Sequence, residues 1–157
     1  MTWHRKNYWK GIAAGFVATI VLSAIMFMKG RMGIMPELDP IQMLGNMVGG
    51  GSRTVGWVMH FMIGAVAWGL LFTAIFGAAA NGFWWRGIVF AIGAWLGMMI
   101  VVMPMAGAGL FGMNLGPMAP IMTLIVHIIY GWVLGATYAA LVKHEPSDSA
   151  RATRLAP

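Results

Sequence analysis

The chain has 157 residues, of which 60% are hydrophobic and only 9% are charged, and its formal net charge is +6. A water-soluble domain carries about a quarter charged residues, so this composition excludes one. The absence of cysteine excludes disulfides and thiolate metal sites. The basic residues flank apolar runs, as membrane topology requires, and we therefore expect no nucleic-acid partner.

Four apolar runs cover residues 11–28, 54–80, 87–113 and 118–142. We call them spans 1 to 4, because each is long enough to cross the hydrocarbon core, which takes about 20 helical residues. Backbone polar groups in lipid must be satisfied internally, so the runs must be helices. The sequence predicts an all-α integral membrane four-helix bundle, with the first run retained as a span because no cleavage site follows it.

The first outer loop contains a helix signal of its own. Asp39 followed by Pro40 is typical of an N-cap with proline at the first helical position. Three consecutive glycines, 49–51, would end the helix. The apolar residues between these signals share one face, namely Ile41, Leu44, Met47 and Val48. We predict a short interfacial helix here.

The sequence repeats itself. Trp9-Lys10-Gly11-Ile12 returns as Trp85-Arg86-Gly87-Ile88, and both copies of a Met-x-Met-x-Gly motif, at 26–30 and 103–107, close a span. We predict two tandem transmembrane hairpins, repeat 1 at about 9–80 and repeat 2 at about 84–142, related by a pseudo-two-fold axis along the membrane normal. They form one domain, 1–142, followed by a short polar tail, 143–157, that we expect to be disordered.

The distribution of Lys and Arg predicts the orientation. Seven lie at the termini or between spans 2 and 3, and three lie in the loop after span 1: Arg5, Lys6, Lys10, Arg86, Lys143, Arg151 and Arg154 against Lys29, Arg31 and Arg53. The positive-inside rule then places both termini in the cytoplasm, in a multi-pass protein of a bacterial inner membrane.

Small residues four apart on a helix let two helices approach closely. The motifs are Gly11 with Gly15, Gly93 with Gly97, and Gly131 with Gly135, and Gly64 follows His60 at the same spacing. We expect these faces to pack within the molecule. A self-dimer through one of them is the alternative.

His60 and His127 are the only ionisable residues inside the spans, and such residues are functional candidates. They lie about two turns from the outer ends of spans 2 and 4, hence at similar depth. Hydrogen-bonded packing is the preferred interpretation. The alternatives are ligation of a haem b or a metal, and proton relay or solute binding.

All methionines except Met1 fall in the outer half of the predicted topology. Met26, Met28, Met103 and Met105, together with the histidines, would suit Cu(I), because thioether and imidazole are ligands for that ion. Methionine is also a flexible packing residue, suited to partner contact. We prefer packing or docking, so no cofactor is expected, with haem b or copper as the alternative.

The residues quoted above, with Pro36-Glu37-Leu38-Asp39, Met103-Pro104 and Tyr130-Gly131, resemble a family of small bacterial four-span inner-membrane proteins of unknown activity. No nucleophile stands near a base and an orienting group, so we predict that the protein is not an enzyme. The preferred function is an accessory subunit of a larger membrane complex, respiratory or otherwise redox, whose partners are other subunits and lipid. The alternatives are a haem or copper protein and a small-solute transporter.

Overall fold

The computed structural model describes residues 6–79 and 81–143. Within them the structure is helical, and four helices are long and apolar enough to cross a membrane: Tyr8–Arg31, Arg53–Phe76, Phe83–Met105 and Met118–Lys143. The four predicted spans are thus confirmed as helices. The expected disordered tail lies, apart from Lys143, outside the described residues.

The helix of span 3 ends at Met105, within the Met-x-Met-x-Gly motif that the sequence predicts to close it, although the apolar run continues to residue 113. Gly107, Gly109 and Gly112 all have positive φ, a conformation that an α-helix cannot contain. They turn the chain into a short 3₁₀ segment, Leu110–Leu115, before span 4 begins.

Span 1 lies between spans 2 and 4, and span 3 packs on the other side of span 4. We call the side where span 1 begins and span 4 ends the terminal side, and the opposite side the loop side. Spans 2 and 3 contact one another on the terminal side, where the Phe90 ring lies 5.7 Å from the rings of Trp68 and Phe72. Toward the loop side these two spans separate.

Backbone-to-backbone contact at glycine holds each hairpin together. A Cβ at Gly11 would overlap the carbonyl oxygen of Gly69, and a Cβ at Gly87 would overlap that of Gly131. Gly135 meets the carbonyl of Phe83 in the same way. Only glycine, which has no Cβ, permits such a close backbone approach. The close approach increases dispersion contact between the helices, which matters because the hydrophobic effect does not drive helices together in lipid.

The other small-residue motifs behave differently from one another. Gly15 and Gly64 lie between spans 1 and 2, against Ala65 and Thr19 respectively. Gly93 and Gly97 instead have nothing within 4 Å of a Cβ built on them, and both are exposed. The expected packing face on span 3 therefore has no partner within the described part of the chain.

Two spans contain a π-helical turn. Residues Met62–Ala67 of span 2 and Met98–Val102 of span 3 adopt it, on the two helices that separate toward the loop side. Such turns are uncommon inside α-helices and occur frequently at functional sites.

The loop helix, Pro40–Gly49, forms as its sequence predicts. The Asp39 side chain accepts a hydrogen bond from the backbone amide of Gln42, and Gly50 ends the helix in the left-handed conformation. The helix packs on the start of span 2, where Gly56 lies against the carbonyl of Ile41. Val48 differs from the prediction, since it is 59% exposed and faces away from the protein.

Asp39 makes the loop helix sensitive to acid. Partial burial alone would raise the pKa of this carboxyl, but the Gln42 amide and the Arg53 guanidinium, 2.7 Å away, hold it below its ordinary value. A carboxylate with a lowered pKa stabilises the fold above about pH 4 and loses that contribution as pH falls through the folded-state pKa. We expect the hydrogen-exchange protection factors of the loop helix, which are corrected for the pH dependence of intrinsic amide exchange, to fall below about pH 4.

The matched variants are Asp39→Asn and Asp39→Ala. Asparagine keeps the cap and loses only the exposed ion pair, so it should weaken the loop helix by well under about 1 kcal/mol. Alanine loses both the cap and the ion pair, and the loss of a cap costs about 0.5–2 kcal/mol. Equal exchange rates in the two variants would contradict this account.

Candidate functional site

A cavity of about 700 Å³ lies between the spans. All four spans and the loop helix contribute to its wall, which is overwhelmingly apolar. The loop helix closes the loop side with Met43, Leu44 and Met47. Trp68 and Phe90 line the terminal side, where spans 2 and 3 meet.

The cavity continues into the gap between spans 2 and 3. Gly93 and Gly97 form its wall on span 3, which explains why nothing packs on them. Leu71, Ile75 and Val89 also belong to the cavity wall, at the level where spans 2 and 3 meet, and these side chains are 42%, 56% and 47% exposed. In a membrane, exposed apolar side chains of a span face lipid, so the cavity communicates laterally with the bilayer.

Both histidines predicted from sequence line this one cavity. His60 is buried, and its Nε2 lies 3.1 Å from the hydroxyl of Ser23 on span 1. Ser23 donates its single hydroxyl proton to the carbonyl of Thr19 at 2.7 Å. The Ser23 oxygen can therefore only accept from His60, so Nε2 carries the proton and Nδ1 of a neutral His60 is an unprotonated acceptor.

His127 also has one protonated and one unprotonated ring nitrogen, but its hydrogen-bond partner is different. Its Nδ1 lies 2.7 Å from the carbonyl oxygen of Thr123, one turn earlier on span 4. A carbonyl only accepts, so Nδ1 carries the proton and Nε2 of the neutral ring is unprotonated. The indole of Trp95 on span 3 donates to the Thr123 hydroxyl at 3.0 Å and so helps to hold this turn in place.

Tyr130 supplies a further polar contact at the cavity wall. Its hydroxyl donates to the carbonyl of Gly64 at 2.6 Å, joining span 4 to the π-helical turn of span 2. Where a helix changes from i→i+4 to i→i+5 bonding, a carbonyl is left without its usual amide. The Tyr130 hydroxyl provides a donor at this point, which matters in lipid because water cannot.

The methionine motifs divide between the cavity and the surface. Met26 and Met103 line the cavity, as do four other methionines: Met43, Met47, Met98 and Met122. Met28 and Met105 are 61% and 69% exposed and are not part of the wall. The structure thus brings two of the four proposed Cu(I) ligands to the histidines and leaves two outside.

The donor set bears on the haem and metal alternatives. Within residues 6–79 and 81–143, no three His, Cys, Asp or Glu side chains form a group that could hold a metal ion. A haem iron would also need the free nitrogen of each imidazole. In His60 that nitrogen is Nδ1, next to the ring carbon that carries the side chain, where a porphyrin plane would collide with Cβ.

Lys29 is the charged side chain of the cavity wall in the described structure, and no described carboxylate lines it. Its ammonium donates to the carbonyls of Met35 and Leu38, at 2.8 and 2.6 Å. These two hydrogen bonds hold in place the segment that leads into the loop helix. The cavity itself is left neutral or slightly positive.

A model of a family of unknown function, DUF6789, matches residues 5–149. The chain belongs to this family. No curated protein and no solved structure matches it. Membership of DUF6789 agrees with the resemblance found in the sequence, and it assigns no activity to the cavity.

Sequence reasoning found the histidines but missed Ser23, Thr123 and Tyr130. A signal for two of them was present, because Thr19 with Ser23 and Thr123 with His127 are spaced i and i+4, the distance at which helical residues become neighbours. The contact between Tyr130 and Gly64 carries no such signal, because the two residues meet only through the packing of spans 2 and 4.

Proposed function

We propose that the protein binds a membrane-soluble small molecule in the cavity between its spans. The observation that carries the proposal is the cavity itself, whose volume of about 700 Å³ lies within the range of ligand sites, about 300–1,000 Å³. Ligand sites are also mostly apolar with a few placed polar groups. His60, Thr123, His127, Tyr130 and Lys29 are such groups on a wall that is otherwise apolar.

The lateral opening supports a route of entry from the bilayer. A ligand can pass between spans 2 and 3 directly from the bilayer, since the Gly93 and Gly97 face obstructs nothing there. A water-soluble solute would need a polar path, and the loop helix covers the loop side with apolar side chains. These features support a lipophilic ligand over a water-soluble transported solute.

The test is native mass spectrometry of the protein released from its own membrane, with organic extraction of what comes off. We expect an added mass of one small molecule per chain, enriched over its share of bulk lipid. A protein that carries only the ordinary lipid mixture, in proportion to the membrane, would refute the proposal.

The second candidate is a non-catalytic accessory subunit of a larger membrane complex, respiratory or otherwise redox. The uncovered Gly93 and Gly97 face favours it, because small-residue faces are where transmembrane helices pack. A partner's helix would then occupy the gap between spans 2 and 3. The same native mass measurement decides: named protein subunits in stoichiometric amount support this candidate, and an isolated chain with a bound small molecule removes it.

The proposed location is a bacterial inner membrane with both termini in the cytoplasm. The excess of Lys and Arg on the terminal side supports this orientation. Two contacts add to it: Lys6 donates to the carbonyl of Ala74 at the end of span 2, and Lys10 to that of Leu141 at the end of span 4. The tandem duplication is likewise a proposal, supported by the glycine contact that closes each hairpin.

A further inference from the structure

The two imidazoles restrict what the ligand can be. The hydrogen bonds to Ser23 and Thr123 fix the proton of each neutral ring on the nitrogen already in use. The remaining nitrogens, Nδ1 of His60 and Nε2 of His127, have no hydrogen-bond partner recorded in the described structure. Each is an acceptor with an unused lone pair on a residue of the same cavity wall.

Each unprotonated imidazole nitrogen in this apolar cavity needs a hydrogen-bond donor. Leaving a polar group without a partner away from water costs free energy, and two acceptors are satisfied together only by a ligand with two donors. A cationic donor is disfavoured, because Lys29 lines the cavity and no described carboxylate does. The complementary head group is therefore neutral and carries two hydrogen-bond donors, as a diol does.

The shape of the cavity favours a flat head with a hydrocarbon tail. Trp68 and Phe90, in edge-to-face contact at 5.7 Å, provide aromatic surface for a planar ring on the terminal side. The methionine side chains around them are polarisable and adapt to a ring edge. From there the uncovered Gly93 and Gly97 face leads outward through the gap between spans 2 and 3, which suits an alkyl or prenyl chain.

We infer that the cavity binds a hydroquinone-type lipid, in which an aromatic diol donates to His60 and His127 and the hydrocarbon tail leaves between spans 2 and 3. This inference rests on the proposed function and names its ligand class. The oxidised quinone, which has only acceptor oxygens, fits the site less well. The protein therefore discriminates between the two redox forms of the same molecule and holds the reduced one.

The test is a ligand series on the wild-type protein. Tritiated decyl-benzohydroquinone is bound to protein in detergent, without oxygen, and displaced by unlabelled hydroquinone, by the corresponding quinone or by the hydroquinone dimethyl ether. The ether keeps the ring and the tail and lacks both donors. One hydrogen bond contributes about 0.5–1.5 kcal/mol, which is about 2- to 13-fold in affinity, so two predict about 5- to 150-fold weaker binding of the ether and of the quinone.

The variant His127→Leu separates the hydrogen bond from the shape of the site. It should weaken hydroquinone binding about 2- to 13-fold and leave the affinity for the ether unchanged. Ile121→Leu is the control, since Ile121 is 50% exposed on the same span and is not part of the wall. A variant that fails to fold does not affect the test, because the wild-type series is decisive alone.

Each outcome of the ligand series supports or overturns a stated claim. Equal affinity for hydroquinone, quinone and ether would overturn the diol inference and leave the proposed lipophilic-ligand function standing. No binding of any of the three, while another molecule co-purifies in stoichiometric amount, would also overturn only the diol inference. No binding and no co-purified molecule would overturn both. Stoichiometric haem binding with a Soret band lost in His127→Leu would replace the diol by a metal centre.

Discussion

Replacing Gly87 by alanine should destabilise the protein more than any other single added methyl group in span 3. The new Cβ would overlap the carbonyl oxygen of Gly131 and lie 2.9 Å from the amide nitrogen of Gly135. Both neighbours are backbone atoms, so no side chain can turn aside, and spans 3 and 4 must move apart. Overpacking of this kind costs about 1–3 kcal/mol and occasionally more. Unfolding in mixed micelles with increasing SDS measures the change.

Gly93→Ala is the matched control, because it adds the same group to the same helix about two turns away. Nothing lies within 4 Å of its Cβ, so we expect no loss of stability. The two variants share any change in helix propensity, and their difference isolates the contact with span 4. If Gly87→Ala unfolds at the same SDS fraction as Gly93→Ala, the close packing of spans 3 and 4 is wrong.

Replacing Gly97 by leucine should abolish ligand binding while leaving the protein folded. A leucine side chain built here would project into the cavity and its lateral opening, where the structure offers space and no clash. The ligand would lose both volume and route of entry, and we expect at least about 100-fold weaker binding, equivalent to about 2.7 kcal/mol. Extraction and mass spectrometry of the purified variant should find the co-purified molecule gone.

Gly30→Leu controls for the substitution itself. Gly30 is also helical and exposed with nothing within 4 Å of a Cβ, but it is not part of the cavity wall. It should retain the bound molecule at the wild-type ratio. Retention of the molecule by Gly97→Leu, or its equal loss from both variants, would show that the cavity is not the binding site.

The existence and the start of the loop helix could be predicted because its signals are local. Asp39, Pro40 and Gly50 act through the conformation and hydrogen bonds of their own turns, which tertiary packing does not alter. The four spans were likewise predictable from apolar length. The end of span 3 was predictable from the Met-x-Met-x-Gly motif at 103–107, and not from apolar composition, which does not register the backbone conformation of Gly107 and Gly109.

The cavity could not be predicted from the sequence, because the same small-residue motif occurs in different structural surroundings. Gly11 with Gly15 and Gly93 with Gly97 have the same spacing, yet the first pair packs on span 2 and the second lines an opening. Helix geometry already limits the Cu(I) alternative. Residues i and i+2 lie on nearly opposite sides of a helix, so a Met-x-Met motif cannot place both sulfurs in one site, and Met26 faces the cavity while Met28 does not.

The position of span 1 between spans 2 and 4 constrains how the protein is made. Span 1 is synthesised first, but one of its two partners, span 4, follows about a hundred residues later, and the contact between Lys10 and Leu141 joins nearly the whole length of the described chain. Until span 4 is inserted, span 1 presents an unfilled face to lipid, and the cavity lacks the wall that span 4 provides. A chain that ends before residue 118 would therefore contain three of the four spans and no closed cavity.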